Sequence, residues 1–156
     1  MQTKQKGFTL IELLVVIAII GILASAVLIG FPLVTNKAKD ARVKSAVSQM
    51  KNIMAQAVDT YGNYDSFTTN TPEMLTLTSD LEKNTYDGIY HFIKAPLTGS
   101  NSACVYALLS EKAGSSWYCL DGAGNIGTTD IDPATTTADY CSDVADPVVC
   151  PPIDRD

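Results

Sequence analysis

The sequence predicts an α+β protein, in which one long N-terminal α-helix packs on a small antiparallel β-sheet head. Three observations carry this. Residues 8–36 hold most of the Leu, Ile and Val, and no charged residue stands between Glu12 and Lys37. From Val43 to Tyr61 the apolar residues recur at spacings of three and four, which is the period of a helix with one buried face. Beyond that lie short runs rich in β-branched and aromatic residues, separated by turn-forming Gly, Asn and Asp.

Taken in order, residues 1–7 form a short polar leader carrying Lys4 and Lys6. The apolar run follows without boundary residues and exceeds the roughly 20 residues a helix needs to cross a bilayer core. Gly21, Gly30 and Pro32 interrupt it. Gly21 suits close helix packing or local bending, and Pro32 is expected to kink the helix. The amphipathic continuation buries Val43, Ala46, Val47, Met50, Ile53, Met54, Ala57, Val58 and Tyr61, with Arg42, Lys44, Gln49, Lys51 and Asp59 off the stripe. A single helix over residues 8–61 would span about 80 Å at 1.5 Å per residue. Residues 37–61 form a stem that docks on the head. Residues 8–36 have nothing in so short a chain to cover them, so lipid or other copies must do so.

Gly62 and Asn63 end the helix well. In the head, residues 62–156, Thr71-Pro72-Glu73-Met74 reads as an N-cap with Pro at the first helical position, opening a short helix over 71–81. Strands are expected at 88–94, 103–110, 116–121 and 125–129. Chain-adjacent strands joined by turns give a meander.

Charge divides the chain. Residues 8–58 carry five bases and two acids, whereas residues 59–156 carry four bases and fifteen acids. An acidic head repels nucleic-acid backbones, so no direct nucleic-acid binding is expected. The basic block at Lys37, Lys39, Arg42 and Lys44 lies just past the apolar run, where anionic head groups or acidic neighbours would meet it.

Glu12 is the oddity. A lone acid in a membrane-length run costs up to a few kcal/mol even on lenient insertion scales. A secretory signal cut after Ala24-Ser25-Ala26, a simple signal anchor and a snorkelling acid are the ordinary alternatives. The first two leave Glu12 without a role.

The segment Lys6-Gly7-Phe8-Thr9-Leu10-Ile11-Glu12-Leu13, followed by Val15-Val16-Ile17-Ala18-Ile19-Ile20-Gly21-Ile22-Leu23-Ala24, resembles type IV prepilins and the wider pilin and pseudopilin superfamily. The resemblance is close over about the first 30 residues and by pattern over the next 30. It implies a pilin-like fold and cleavage by a prepilin peptidase between Gly7 and Phe8. It further implies N-methylation of the new Phe8 amine, and polymerisation through the apolar helix into a helical filament of identical copies. A membrane pool would feed assembly by a platform protein and an extension ATPase. Phe8 and Glu12 become the assembly residues: Glu12 of one subunit pairs with the Phe8 ammonium of a neighbour, which makes the buried acid tolerable and penalises misaligned register. The protein would sit in the cytoplasmic membrane before assembly and in an extracellular filament afterwards.

Cys104, Cys119, Cys141 and Cys150 make an even set behind an export-type N-terminus, which suggests two disulfides. The pairing Cys104–Cys119 and Cys141–Cys150 closes two short local loops and is the expectation. The second would bound a C-terminal loop, as pilins often do. A zinc site lacks CxxC spacing and a nearby His. Asp121, Asn125, Asp130 and Asp132 form an oxygen-rich stretch resembling a Ca²⁺ loop, though without the bidentate Glu and spacing of an EF-hand. A plain turn with solvated acids is the simpler reading, and no metal or cofactor is expected. Thr135–Thr137 would permit O-glycosylation. His91 stands between aromatics without a nucleophile or carboxylate partner, and no phosphate loop appears, so no enzyme activity is expected. The leading function is a structural pilus subunit. A minor pilin or type II secretion pseudopilin is the variant within that class, and a membrane-anchored binding ectodomain the alternative outside it.

Overall fold

The computed structural model describes residues 7–95, 102–134, 140–141 and 149–154. Lys4 and Lys6 of the leader and Thr135–Thr137 lie outside them. The elements run α1 (Leu10–Tyr61), α2 (Pro72–Asn84), β1 (Tyr90–Ala95), β2 (Ser102–Leu108), β3 (Trp117–Asp121) and β4 (Ile126–Thr129). The four strands form one antiparallel sheet in sequence order, each paired with its chain neighbour. The chain divides into two compact units at Thr35–Asn36.

In the unit beginning at Asn36, the stripe on α1 makes the core. Val43, Ala46, Val47, Met50, Met54 and Ala57 are buried against Ala103, Val105, Ala107, Tyr118 and Leu120 of the sheet, with Ile53 and Val58 partly covered. Tyr61, the last residue of the predicted stripe, is two-thirds exposed instead, because the helix ends there and Gly62 turns the chain with φ 72°. Thr71 caps α2 by accepting a hydrogen bond from the Met74 amide, and Pro72 follows it. Met74, Leu77 and Leu81 bury the inner face of α2.

Strand β2 is buried along its whole length. A sheet with one helical layer normally leaves its other face to water. Here the second face carries Cys104, Tyr106 and Cys119, covered by Cys141 and Cys150 of the C-terminal segment. The disulfides are Cys104–Cys141 and Cys119–Cys150, with Cα separations of 5.7 and 5.9 Å. This corrects the expected pairing of Cys104–Cys119 and Cys141–Cys150. The register sets Cys104 opposite Asp121 and Cys119 opposite Tyr106, so Cys104 and Cys119 are diagonal neighbours. Diagonal residues lie roughly 7–8 Å apart, whereas a disulfide needs Cβ atoms about 4 Å apart. Their sulfurs touch at 3.5 Å without bonding. Each bonds instead to a cysteine of the C-terminal segment, Cys104 to Cys141 and Cys119 to Cys150, and both of these cover the sheet face. Asp154 adds an antiparallel bridge to Thr128, and Gly127 is required beneath it: a Cβ there would stand 2.5 Å from the Asp154 carbonyl oxygen.

One acid on the helix is buried by design of the fold. Asp40 lies three residues before Val43 on the same stripe and is 4% exposed. Its carboxylate accepts hydrogen bonds from the amides of Ser110 (2.6 Å) and Glu111 (2.8 Å) at the end of β2. Asp40→Ala leaves both amides without an acceptor, at about 1–3 kcal/mol each. A loss of about 2–6 kcal/mol in urea unfolding of the head is expected, with Asp40→Asn intermediate because its amide oxygen keeps one of the two bonds.

His91, Tyr106 and Trp117 form an aromatic cluster on the disulfide face of the sheet. His91 stacks on Tyr106 directly across the β1–β2 register at 4.5 Å, and Trp117 meets Tyr106 edge-on at 5.8 Å. This is cross-strand packing. Burial, and secondarily the charge of Asp132, push the Tyr106 phenol up to about 12. The folded state therefore holds this proton more tightly than the unfolded chain does. The associated stability is present below about pH 10. It is lost as pH rises from there through about 12. Absorbance titration of the phenolates should show a late step that Tyr106→Phe removes.

Candidate functional site: the N-terminal apolar segment

The residues that matter most on chemical grounds are the first of those described. Gly7, Phe8 and Thr9 precede the helix, which opens at Leu10. Phe8 is 83% exposed, and the large apolar side chains described from Leu10 to Val34 are all exposed as well. The span is apolar and long enough to cross a membrane, and no part of its most apolar stretch is buried within the molecule. Soluble monomers rarely expose continuous apolar patches beyond a few hundred Å², so this surface requires lipid or protein around it. The helix continues through Pro32. Three residues on, the Thr35 hydroxyl donates to the carbonyls of Phe31 (3.1 Å) and Pro32 (2.9 Å).

Glu12 sits in the first turn of α1, exposed like its neighbours. Its Oε2 accepts two hydrogen bonds from Thr9, one from the backbone amide at 2.9 Å and one from the hydroxyl at 2.8 Å. The Glu12 amide in turn donates to the Thr9 hydroxyl at 3.3 Å. Sequence reasoning singled out Glu12 and passed over Thr9. The signal for Thr9 was present, since Thr-x-x-Glu before an apolar run marks a capped helix start.

The candidate Ca²⁺ ligands already have other partners. Asp121 is buried, and its carboxylate accepts from the Asn125 amide and side chain, both at 2.9 Å, and from the Cys150 amide at 3.2 Å. Asp130 faces Lys112 at 3.0 Å. The ammonium of Lys112 and a hydrogen bond from Ser116 draw its carboxyl below the ordinary carboxylate range. Asp132 accepts from the Ala134 amide at 2.9 Å. The turn itself is held from outside: the Lys51 ammonium donates to the Gly124 carbonyl at 3.0 Å and the Tyr64 hydroxyl to the Gly122 carbonyl at 2.7 Å. Burial and the charge of Asp121 raise the Tyr64 phenol. Asp121 and Asn125 thus close the turn on itself, while Asp130 and Asp132 serve separate local contacts. The four sulfurs lie within 4.8 Å of one another, joined as the two disulfides.

Comparison with known proteins fixes attention on the same segment. The family model of the prokaryotic N-terminal methylation motif matches residues 2–28. The chain is 41% identical over 58 residues to the type IV major fimbrial protein FimA of Dichelobacter nodosus, covering 37% of each chain. It is 39% identical over 72 residues to the type IV major pilin protein PilE1 of Neisseria gonorrhoeae, covering 46% of this chain and 32% of the relative. The matched stretch spans about a third of the length of these relatives. No solved structure matches the chain.

Proposed function

We propose that this chain, a type IV pilin by its N-terminal segment, is the repeating structural subunit of a type IV pilus. The observation that carries the reading is the methylation-motif match over residues 2–28 on a helix whose apolar side chains are uncovered. In this reading a prepilin peptidase cuts between Gly7 and Phe8 and the Phe8 amine is methylated. The leader lysines Lys4 and Lys6, which favour the cytoplasmic side, leave with the cut. Residues 8–36 hold the subunit in the cytoplasmic membrane and then line the filament interior, where copies of the helix cover one another. Glu12 accepts the Phe8 ammonium of a neighbouring copy, since a buried charge persists only when paired. The acidic head, residues 62–156, faces outward. The protein works by assembling, with the platform protein and extension machinery as transient partners.

The test is direct. Material sheared from the surface of expressing cells is examined by electron microscopy and by mass spectrometry of its N-terminal peptide. Filaments whose subunits begin at methylated Phe8 are expected. A surface form retaining residues 1–7, or one beginning after Ala26, would overturn the reading.

A further inference from the structure

The hydrogen bonds of the first turn divide the two oxygens of Glu12 unequally. Both Thr9 donors go to Oε2, at 2.8 and 2.9 Å, and the Glu12 amide returns a bond to the Thr9 hydroxyl. This reciprocal pattern is a capping box. Among the described residues no hydrogen bond reaches Oε1. The carboxylate is therefore fixed in one rotamer by its own chain, with one oxygen satisfied and the other open.

Two physical consequences follow for a carboxylate in apolar surroundings. A buried acceptor with donors aimed at it is far less unfavourable than one without. A side chain already held in its bound rotamer also loses less freedom when its partner arrives. We propose that Thr9 is a positioning residue for assembly. It holds Glu12 through Oε2 in the membrane-resident subunit, so that Oε1 is presented to the ammonium of an incoming second copy. The proposal rests on the reading of Glu12 as the acceptor of the neighbour's Phe8 amine. It adds that the acceptor is prepared within its own subunit, by a hydroxyl that itself carries no charge.

The experiment uses the full-length chain in its expressing cell, with Thr9→Val, Thr9→Ser and Glu12→Ala. Three quantities are measured: the fraction cut at Gly7–Phe8, the amount of mature subunit in the membrane, and sheared filament per mature subunit. Valine keeps the branched shape and removes the hydroxyl, whereas serine keeps the hydroxyl and the cap. Thr9→Val is expected to lower filament yield per mature subunit at least about fivefold, and Thr9→Ser to restore it to within about twofold of wild type. Wild-type yield in Thr9→Val overturns the proposal. So does a Thr9→Ser variant as poor as the valine one, because the hydroxyl would then not be the operative group. If Glu12→Ala assembles normally, the assembly reading falls and takes the Thr9 role with it. If Glu12→Ala fails and Thr9→Val does not, only the Thr9 role falls.

Discussion

Glu12→Ala is expected to abolish surface filaments while mature protein still accumulates in the membrane. Alanine removes a carboxylate from an exposed position of α1, so neither insertion nor folding of the head depends on it. Insertion should even improve, since an acid in an apolar run opposes it. Assembly is the step that suffers, because the proposed partner is the Phe8 ammonium of the next subunit. Truncating one member of a buried ion pair leaves the other charge uncompensated, at about 3–5 kcal/mol. Spread over every subunit contact, that corresponds to a hundredfold or greater rise in the subunit level needed for growth. Membrane fractionation and filament counts on the same cells check both halves. Persistent filaments, or loss of the protein from the membrane, would contradict the expectation.

Much of this was legible in the chain. The stripe from Val43 to Ala57 repeats with helical period and is the buried face of α1. Thr71 and Pro72 announced the start of α2, and the glycine-bearing turns announced the hairpins. These features are local, and local patterns fix element type. What the sequence concealed depends on register and on contacts between distant segments. Asp40 lies on the stripe at the right phase, but nothing nearby in the sequence says that the amides of Ser110 and Glu111 await it. Asp121 looks like one of several solvated acids until the chain brings Cys150 to it, 29 residues later. The cysteines mislead for the same reason. Short sequence separation suggests Cys104–Cys119, yet the strand register offsets them, and only the return of the C-terminal segment supplies geometrically suitable partners.

Removing one staple, by Cys104→Ala with Cys141→Ala, should destabilise the head by up to about 4 kcal/mol on the chain-entropy estimate for a loop of this length. The sequence separations are 37 and 31 residues, so the two links are of similar worth individually. Net stability of a domain is about 5–15 kcal/mol, and loss of both links should leave the head largely unfolded. The urea midpoint of the purified full-length protein measures the first effect. Peptide mapping under non-reducing conditions measures the connectivity: peptides joined as Cys104–Cys141 and Cys119–Cys150 are expected, and a Cys104–Cys119 peptide would refute the pairing.

The crossed staples also dictate an order of events during synthesis. Cys104 and Cys119 leave the ribosome first, and neither has its correct partner until Cys141 and then Cys150 have followed. In the proposed export of the head, with the leader held on the cytoplasmic side, Cys104 and Cys119 arrive as two early thiols that must remain unpaired in an oxidising space while the rest follows. β-Hairpins form in about 1–10 μs, and the β2–β3 register sets those two cysteines on a diagonal that disfavours their joining. The strand offset that defeats pairing by proximity therefore protects the nascent head from the wrong bond, and oxidation becomes the final step that certifies a complete chain.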